Sequence, residues 1–378
     1  MNPDNINIRH IMSLRIWSAS LTNFKVQRQE PVAPELKELF DLDEMPLAEA
    51  NVSMELHGVP TAVVNGIRRA ATDEIIGYAF QIPENGFRID KTTDVFMLPQ
   101  FVNQRIELIP LQQLAAAQAA AADLKFELNA RNPSAVPLTV YAGELRAIST
   151  GSTKYQHVGA LFNPTIELAV LQPGKTLVIE DISVVAGHGS AMFQVATCGC
   201  FTHLDIPQFT DDEVRLESGA AADLSGYKQS CLVTDPRHHQ LRFVLQATDG
   251  ASAPRAAAAT VIAACENIRG RLRLIAAAID GTSSELASAI HFGTIALEAG
   301  LNEGIVRAPG ETHTIGELLR HAIFDTSPDI SIAIYSVSAH DKTLTLTVRA
   351  HGDIGAIIIE AIHMATTALE DIMRGVPN

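Results

Sequence analysis

Cysteine is scarce in this chain. Its 378 residues include four, at positions 198, 200, 231 and 265. That is too few for a disulfide scaffold and points to a reducing compartment. Basic residues are in deficit as well: 28 Lys and Arg stand against 43 Asp and Glu, for a net charge of −15. A chain of that sign lacks the cations needed to grip phosphates by itself, although it can serve in a larger basic assembly. Long apolar runs are missing. The alanine stretch 115–122 is interrupted by Gln118 and is too short to cross a bilayer. Asp4 and Arg9 near the N-terminus are not followed by a long apolar core, so no secretory signal is expected. A soluble intracellular protein is the resulting expectation. Charged residues make up only 19% and apolar residues 47%, which suits a folded protein with much covered surface, as in an obligate complex. The length accommodates two or three domains.

Catalytic signatures are thin too. No serine sits in a G-x-S-x-G elbow. Gly187-His188-Gly189-Ser190 has no following lysine, so it reads as a hairpin turn and not as a phosphate loop. Cys198-Gly199-Cys200 with His203 has the ligand types of a zinc site, and His188 could join them. The C-x-C spacing and the lack of a second pair favour a structural reading. Glu360 and His363 form a single E-x-x-H on a packing stripe, which favours a surface or interface pair. His238-His239, after Pro236, reads as a solvated turn. No catalytic residue, metal or cofactor is therefore expected.

What the chain does have is a short helix made twice. The clearer copy is Glu311-Thr312-His313-Thr314-Ile315-Gly316-Glu317-Leu318-Leu319-Arg320-His321-Ala322. Thr314 and Glu317 read as a T-x-x-E capping box, and Ile315, Leu318, Leu319, Ala322 and Ile323 recur at helical spacing. The earlier copy is Thr61-Ala62-Val63-Val64-Asn65-Gly66-Ile67-Arg68-Arg69-Ala70-Ala71. Laid together, Thr61 meets Thr312, Val64 meets Ile315, Ile67 meets Leu318, and Arg69 meets Arg320. A strand-like run follows each copy, at 75–82 and at 330–337, so two related units are expected to pack together.

The rest of the chain reads as follows. Segment 6–26 is expected to hold one or two strands, and 31–46 a short helix within a loop. Val52, Met54 and Leu56 alternate with polar residues in a half-buried strand. From about 81 to 204 short strands dominate, the best at 138–141, 176–185 and 192–197, with an alanine-driven helix at 114–124. Alternation returns at 239–246, and a helix after Pro254 runs to about 279 with Val261, Ile262, Cys265, Ile268, Leu272 and Ile275 in its stripe. Gly281-Thr282-Ser283-Ser284 suits a linker. The last unit reads strand, helix, strand, strand, helix, with a hairpin near His340-Asp341-Lys342. Its final helix, 354–373, turns Ile354, Ile357, Ile358, Ala361, Ile362, Ala365, Leu369 and Ile372 inward, and so broad a stripe needs a cover.

Asn65-Gly66-Ile67-Arg68-Arg69 resembles the N-A-L-R-R helix of alpha-type assembly subunits of multisubunit DNA-directed RNA polymerases. His313-Thr314-Ile315-Gly316-Glu317-Leu318-Leu319-Arg320 resembles the H-T-L-G-N-L-L-R signature of the small assembly subunit, the eleventh of eukaryotic polymerase II. The segment from Phe101 to Leu111 resembles the family's H-R-L-G-L-I-P-L motif, with Gln104 in place of the His and Glu107 in place of the middle Gly. Leu171-Gln172-Pro173-Gly174-Lys175-Thr176-Leu177 resembles the turn and strand that close the family's inserted domain. The chain thus resembles a fusion of the third and eleventh subunits, as in polymerases of large DNA viruses.

The resemblance implies an α+β fold with two related dimerisation units forming an intramolecular pseudo-dimer. Residues 1–77 with 205–280 would be the third-subunit-like unit, 78–204 a mainly β inserted domain, and 281–378 the eleventh-subunit-like unit. Val64, Ile67, Ile268, Leu272, Ile315, Leu318, Leu319, Ile358, Ile362 and Leu369 would pack the two units together. The implied role is a non-catalytic platform for the two largest polymerase subunits, which hold the catalytic magnesium and touch DNA and RNA, alongside small polymerase subunits. Asn65, Arg68, Arg69, Arg105 and Glu107 would face the second-largest subunit. On residues alone, Arg68 and Arg69 could equally pair with Asp73 and Glu74 on a solvated face. The family's zinc loop is replaced here by the alanine-rich helix, so no zinc is implied. The chain ends on its packing helix and Met373-Arg374-Gly375, so the C-terminal DNA-binding domain of bacterial alpha subunits is not implied. The expected location is the host cytoplasm and virion for a viral source, or the nucleus for a cellular one. No membrane or homo-oligomer is expected. The alternatives are a metal-binding enzyme built on Cys198 and Cys200, and a self-assembling structural protein.

Overall fold

A computed structural model describes residues 17–29, 47–89, 93–94, 98–148, 161–204, 236–248, 252–282, 289–327 and 329–377. The helix expected at 31–46 and the end of the linker, Ser283-Ser284, lie outside these described residues. The first elements are β1 (Ser20–Gln29), β2 (Ala48–His57) and α1 (Thr61–Arg69), which runs into a π-helical turn, Ala70–Glu74. A second group follows: β3 (Gly77–Gln81), β4 (Phe87–Arg88), α2 (Pro99–Glu107), α3 (Gln113–Ala121), β5 (Lys125–Arg131), β6 (Leu138–Tyr141), β7 (Leu145–Ile148), β8 (Glu167–Leu171) and β9 (Thr176–Gly187). The chain then makes β10 (Ala196–His203), β11 (His238–Thr248) and α4 (Ala253–Ile279). It ends with β12 (His291–Ala296), β13 (Leu301–Pro309), α5 (His313–Thr326), β14 (Ile330–Val337), β15 (Thr343–His351) and α6 (Ile354–Gly375). The fold is mixed helix and sheet, as expected. No helix among the described residues is long and apolar enough to cross a membrane.

Two four-stranded antiparallel sheets have the same plan. One is ordered β1-β2-β11-β10 and the other β12-β13-β15-β14. In each, a helix follows the second strand (α1, α5) and a long helix follows the third in spatial order (α4, α6). The last unit therefore opens on two strands, not the single one expected. The repeat also needs one correction. The run at 75–82 does not take the place of 330–337: β3 pairs with β9 in another sheet, and β10 lies where β14 lies in the second unit. After the π-helical turn the chain leaves the first sheet and passes through Gly77, where a Cβ would stand 1.9 Å from the Phe193 carbonyl oxygen.

The segment between them forms a sheet of order β3-β9-β5-β7, with β4 on β9, and a small β6-β8 ladder. Its core is separate and includes Phe80, Phe126 and Phe162, the last two edge-on to Phe80 at 5.2 and 5.6 Å. The strand expected at 192–197 is instead a short 3-10 turn, Ala191–Phe193, and pairing starts at Ala196. Phe193 folds back over Gly187, within 2.5 Å of where a Cβ would be, and that bend interrupts the strand.

The larger core joins both repeated units. α1 packs on α5, α4 on α6, and α5 on α6. Val64, Ile67, Ile268, Leu272, Ile315, Leu318, Leu319, Ile358, Ile362 and Leu369 all lie in this one cluster. Full burial of a residue such as Leu318 stabilises by about 1.5–3 kcal/mol. Two stripe assignments change: Ile262 is 38% exposed, and Ile357 is only half-buried. Both sit at the margin of their helix's apolar arc, where a long stripe turns toward solvent.

Two helix glycines, Gly66 where α1 crosses α5 and Gly316 where α5 packs on β14, have a testable consequence. A Cβ on Gly66 would make ordinary contacts, 3.5 Å to Thr314 Cγ2 and 3.6 Å to Ile268 Cδ1. On Gly316 it would stand 2.4 Å from the Tyr335 ring. Gly66→Ala should therefore raise stability by about 0.5–1 kcal/mol through helix propensity. Gly316→Ala should lower it by about 1–3 kcal/mol through overpacking. Urea denaturation of the two variants checks both signs.

Candidate functional site

The start of α5 meets the end of α1 in a polar junction inside the larger core. The π-helical turn widens the last turn of α1 and brings Glu74 toward α4, where Asn267 Nδ2 donates to the Glu74 carbonyl at 3.1 Å. Arg271, on the same face of α4, pairs with the Glu74 carboxylate. Its Nε also donates to Glu311 at 2.8 Å, and its Nη2 donates to Glu311 at 2.5 Å and to Thr312 Oγ1 at 3.0 Å. The hydroxyls of Thr312 and Thr314 donate to Glu74 Oε1 at 3.0 and 2.7 Å. Arg69 Nε donates to Thr314 Oγ1 at 3.1 Å. The side chains of Arg271, Glu74 and Glu311 are only 17%, 12% and 12% exposed. Burial works against the Arg271 charge, but the hydrogen bond and charge of Glu311, then those of Glu74, outweigh it and push its pKa up.

This geometry corrects the capping box. The N-cap of α5 is Thr312, whose side chain accepts from the Thr314 amide at 3.3 Å. Thr314, two residues on, is buried against Glu74, while Glu317 faces the other way and accepts from Arg320. The hydrogen bonds from Arg320, opposed by partial burial, hold the Glu317 carboxyl below its ordinary range. The opposite end of α5 is tied as well. Asp325 Oδ2 accepts from Trp17 Nε1 and from Arg237 Nη2, both at 2.8 Å. Between the long helices, Glu370 accepts from Arg269 at 3.1 Å and Arg273 at 3.3 Å.

The five residues expected to face a partner fall into two groups on different cores. Asn65, Arg68 and Arg69 are half-buried on α1. Arg68 Nε donates to Asn65 at 3.0 Å, and its Nη1 reaches the Gly199 carbonyl at 3.5 Å. Neither arginine takes up Asp73 or Glu74 in the manner of a solvated face. Asp73 accepts from Gln194 at 2.9 Å, Glu74 belongs to Arg271, and Arg69 turns inward to Thr314. Arg105 is exposed on α2, donates to the Leu168 carbonyl at 3.1 Å, and lines a shallow hollow of about 370 Å³ with Leu98, Phe101 and Val170. Glu107 is half-buried at the end of the same helix.

The histidine reading also changes. His238 and His239 are not in a turn but in β11, and His239 is fully buried. Its Nε2 donates to the Val59 carbonyl at 3.1 Å, so its Nδ1 accepts from His203 Nδ1 at 2.9 Å. That bond directs His203 to His239 and away from the exposed thiols of Cys198 and Cys200. Sequence reasoning missed Arg271, Glu311 and the role of Thr312. Local spacing carries no signal for them, because Arg271 is one of several charged residues on α4 and its partners come from other elements.

Arg271→Met should cost about 3–5 kcal/mol, because it leaves two nearly buried carboxylates without their partner. Arg105→Ala, at an exposed position, should stay within about 0.5 kcal/mol; chemical denaturation compares them. For Glu317, a depressed folded pKa adds stability above its ordinary 4.5, and this is lost as pH falls through the folded value. The stability gap between wild type and Glu317→Gln should therefore close on acidification. Burial pushes the Cys265 thiol up to about 12. It should resist alkylation until the protein is unfolded, as mass spectrometry of labelled peptides will report.

No family model matches the chain. The sequence is 35% identical, over 315 residues, to proteins named DNA-directed RNA polymerase RPB3-11 homolog from African swine fever virus. These include the proteins of strain Badajoz and of the Malawi tick and Namibian warthog isolates, and the match covers 82% of this chain and 83% of each relative. With more than four fifths of each chain matched at that identity, the chain belongs to the family of DNA-directed RNA polymerase RPB3-11 homologs.

Proposed function

We propose that the chain is a non-catalytic assembly subunit of a multisubunit DNA-dependent RNA polymerase, the platform on which the two largest subunits dock. The observation that carries this is the relatives' joined third-and-eleventh name, together with a four-strand, two-helix plan that occurs twice in one chain. The first unit is third-subunit-like, and the second, 281–378, is eleventh-subunit-like. Together they act as an intramolecular pseudo-dimer. Because β10 pairs inside the first sheet, the inserted domain is drawn as 78–195, shorter than 78–204. Fusion holds the two halves at high effective concentration and in one-to-one ratio. The larger subunits supply the active site and contact DNA and RNA, and small subunits complete the complex. The net charge of −15 fits that division of labour.

Asn65, Arg68, Arg105 and Glu107 are the proposed contacts to the second-largest subunit. Arg69 serves the internal junction first, since its Nε is already held by Thr314. The protein works inside cells. The viral relatives favour the host cytoplasm and the virion over a nuclear site.

Affinity purification of the tagged chain from its native source should bring down two much larger chains in equal amount, with nucleotide-incorporating activity. Recovery of the chain alone or as a homo-oligomer would sink the proposal. Arg105→Glu combined with Glu107→Lys should release the second-largest subunit while thermal unfolding of the isolated chain stays unchanged.

A further inference from the structure

The outer face of the first sheet carries three metal-ligating groups that lie outside the proposed docking contacts. β2 and β11 run antiparallel with His57 directly opposite His238 and Glu55 opposite Gln240. Val52, Met54 and Leu56 fill the core, so the alternation turns Glu55 and His57 to the other side. There the His57 and His238 rings stack with centroids 3.8 Å apart at an interplanar angle of 26°. Glu55 Oε2 lies 3.8 Å from His57 Nε2 and 3.5 Å from His238 Nε2. The three ligand atoms all fall within 4.8 Å of one another, and each residue is half-buried.

We propose that Glu55, His57 and His238 form a two-histidine, one-carboxylate site for a divalent transition-metal ion, zinc above all, with a further position open to water. Tetrahedral zinc with bonds of about 2.0–2.2 Å requires ligand atoms roughly 3.3–3.5 Å apart. The two carboxylate–imidazole distances come within a few tenths of an ångström of that requirement, and binding would swing the two half-buried rings apart from their stack so that both Nε2 atoms face one ion. Two imidazoles and one carboxylate suit zinc, copper, nickel or iron, whereas magnesium and calcium take all-oxygen sets.

The surroundings prepare the ligands. A bulge in β1, where the register shifts between Thr22 and Lys25, puts Asn23 in a left-handed conformation with φ 50°. Asn23 Nδ2 then donates to Glu55 Oε2 at 2.9 Å, the kind of outer contact that orients a metal-binding carboxylate. Thr22 Oγ1 lies 2.9 Å from His57 Nε2. In the tautomer with Nε2 unprotonated the hydroxyl donates to its lone pair, and a metal ion would take the place of that hydroxyl. Burial, and then the charge of His238, hold the His57 pKa below its ordinary 6.5. The Asn23 hydrogen bond does most to keep the Glu55 carboxyl ionised. Stacked rings at 3.8 Å disfavour protonation of both imidazoles at once.

The test uses the full chain with Cys198, Cys200 and Cys231 replaced by serine, which removes the thiol ligands. Zinc chloride is titrated by calorimetry and cobalt chloride by visible absorption. The expected result is one equivalent of zinc, and a cobalt spectrum with ligand-field bands and no thiolate charge transfer. His57→Gln and His238→Gln should each weaken zinc by at least about a hundredfold, since even outer-shell partners cost about 10- to 100-fold. Unchanged affinity in either folded variant overturns the proposal, as does a triple-serine chain that binds no zinc. If a glutamine variant does not fold, the cobalt spectrum decides, and absence of ligand-field bands overturns the site.

Discussion

Each repeated unit leaves apolar helix surface that its own sheet cannot cover. α6 buries Ile354, Ile358, Ala361, Ile362, Ala365, Ala368, Leu369 and Ile372, an arc broader than contact with one sheet requires. α4 carries a matching stripe from Ala253 to Ile275. The two helices cover each other, and α1 covers α5 in the same way. The arrangement of the two repeated units follows from that mutual burial. The repeated units share one core, while the segment between β3 and β9 folds around another.

Hydrophobic burial is non-directional and does not by itself choose a register between two pairs of helices. The polar junction supplies direction. Arg271 can satisfy Glu74 and Glu311 together only when the start of α5 sits against the end of α1. Asp325 plays the same part at the far end of α5, held by Trp17 and Arg237 from the first unit. Buried ion pairs add little net stability, because desolvation offsets much of the attraction. Their value here is to penalise every other alignment, since a shifted helix would strand charges in an apolar core.

For a chain in an RNA polymerase subunit family, this division has a functional side. The inward-facing residues of α1 and α5 are committed to the internal junction, Arg69 included. Surface available to other chains lies elsewhere, for example around Arg105 and the exposed Phe101 on α2. An arginine on an amphipathic helix can serve either end. Its reach is several ångströms, so the partner it finds depends on what the fold brings near.

Much was legible in the sequence because periodicity reports burial. The stripe of α6, the alternation of β2 and β11 and the twice-made helix all reflect local spacing between a chain and its own core. The motif residues around Asn65 and His313 marked both units and their family resemblance. Non-local choices were not legible. The capping box was misread because Thr314 is claimed by Glu74, which is distant in sequence and adjacent in space. The strand after α1 looked like the counterpart of the run at 330–337, yet it pairs with β9 in another sheet, a choice not written in its own residues. His238 and His239 looked like a turn, yet β2 on one side and β10 on the other hold them in a central strand. The sequence by itself determined which faces must be buried and that the unit occurs twice. Only the tertiary structure decided which charges meet, which strand fills the fourth place in the first sheet, and where Glu55 meets His238, because those contacts join residues whose separation along the chain carries no periodic signal.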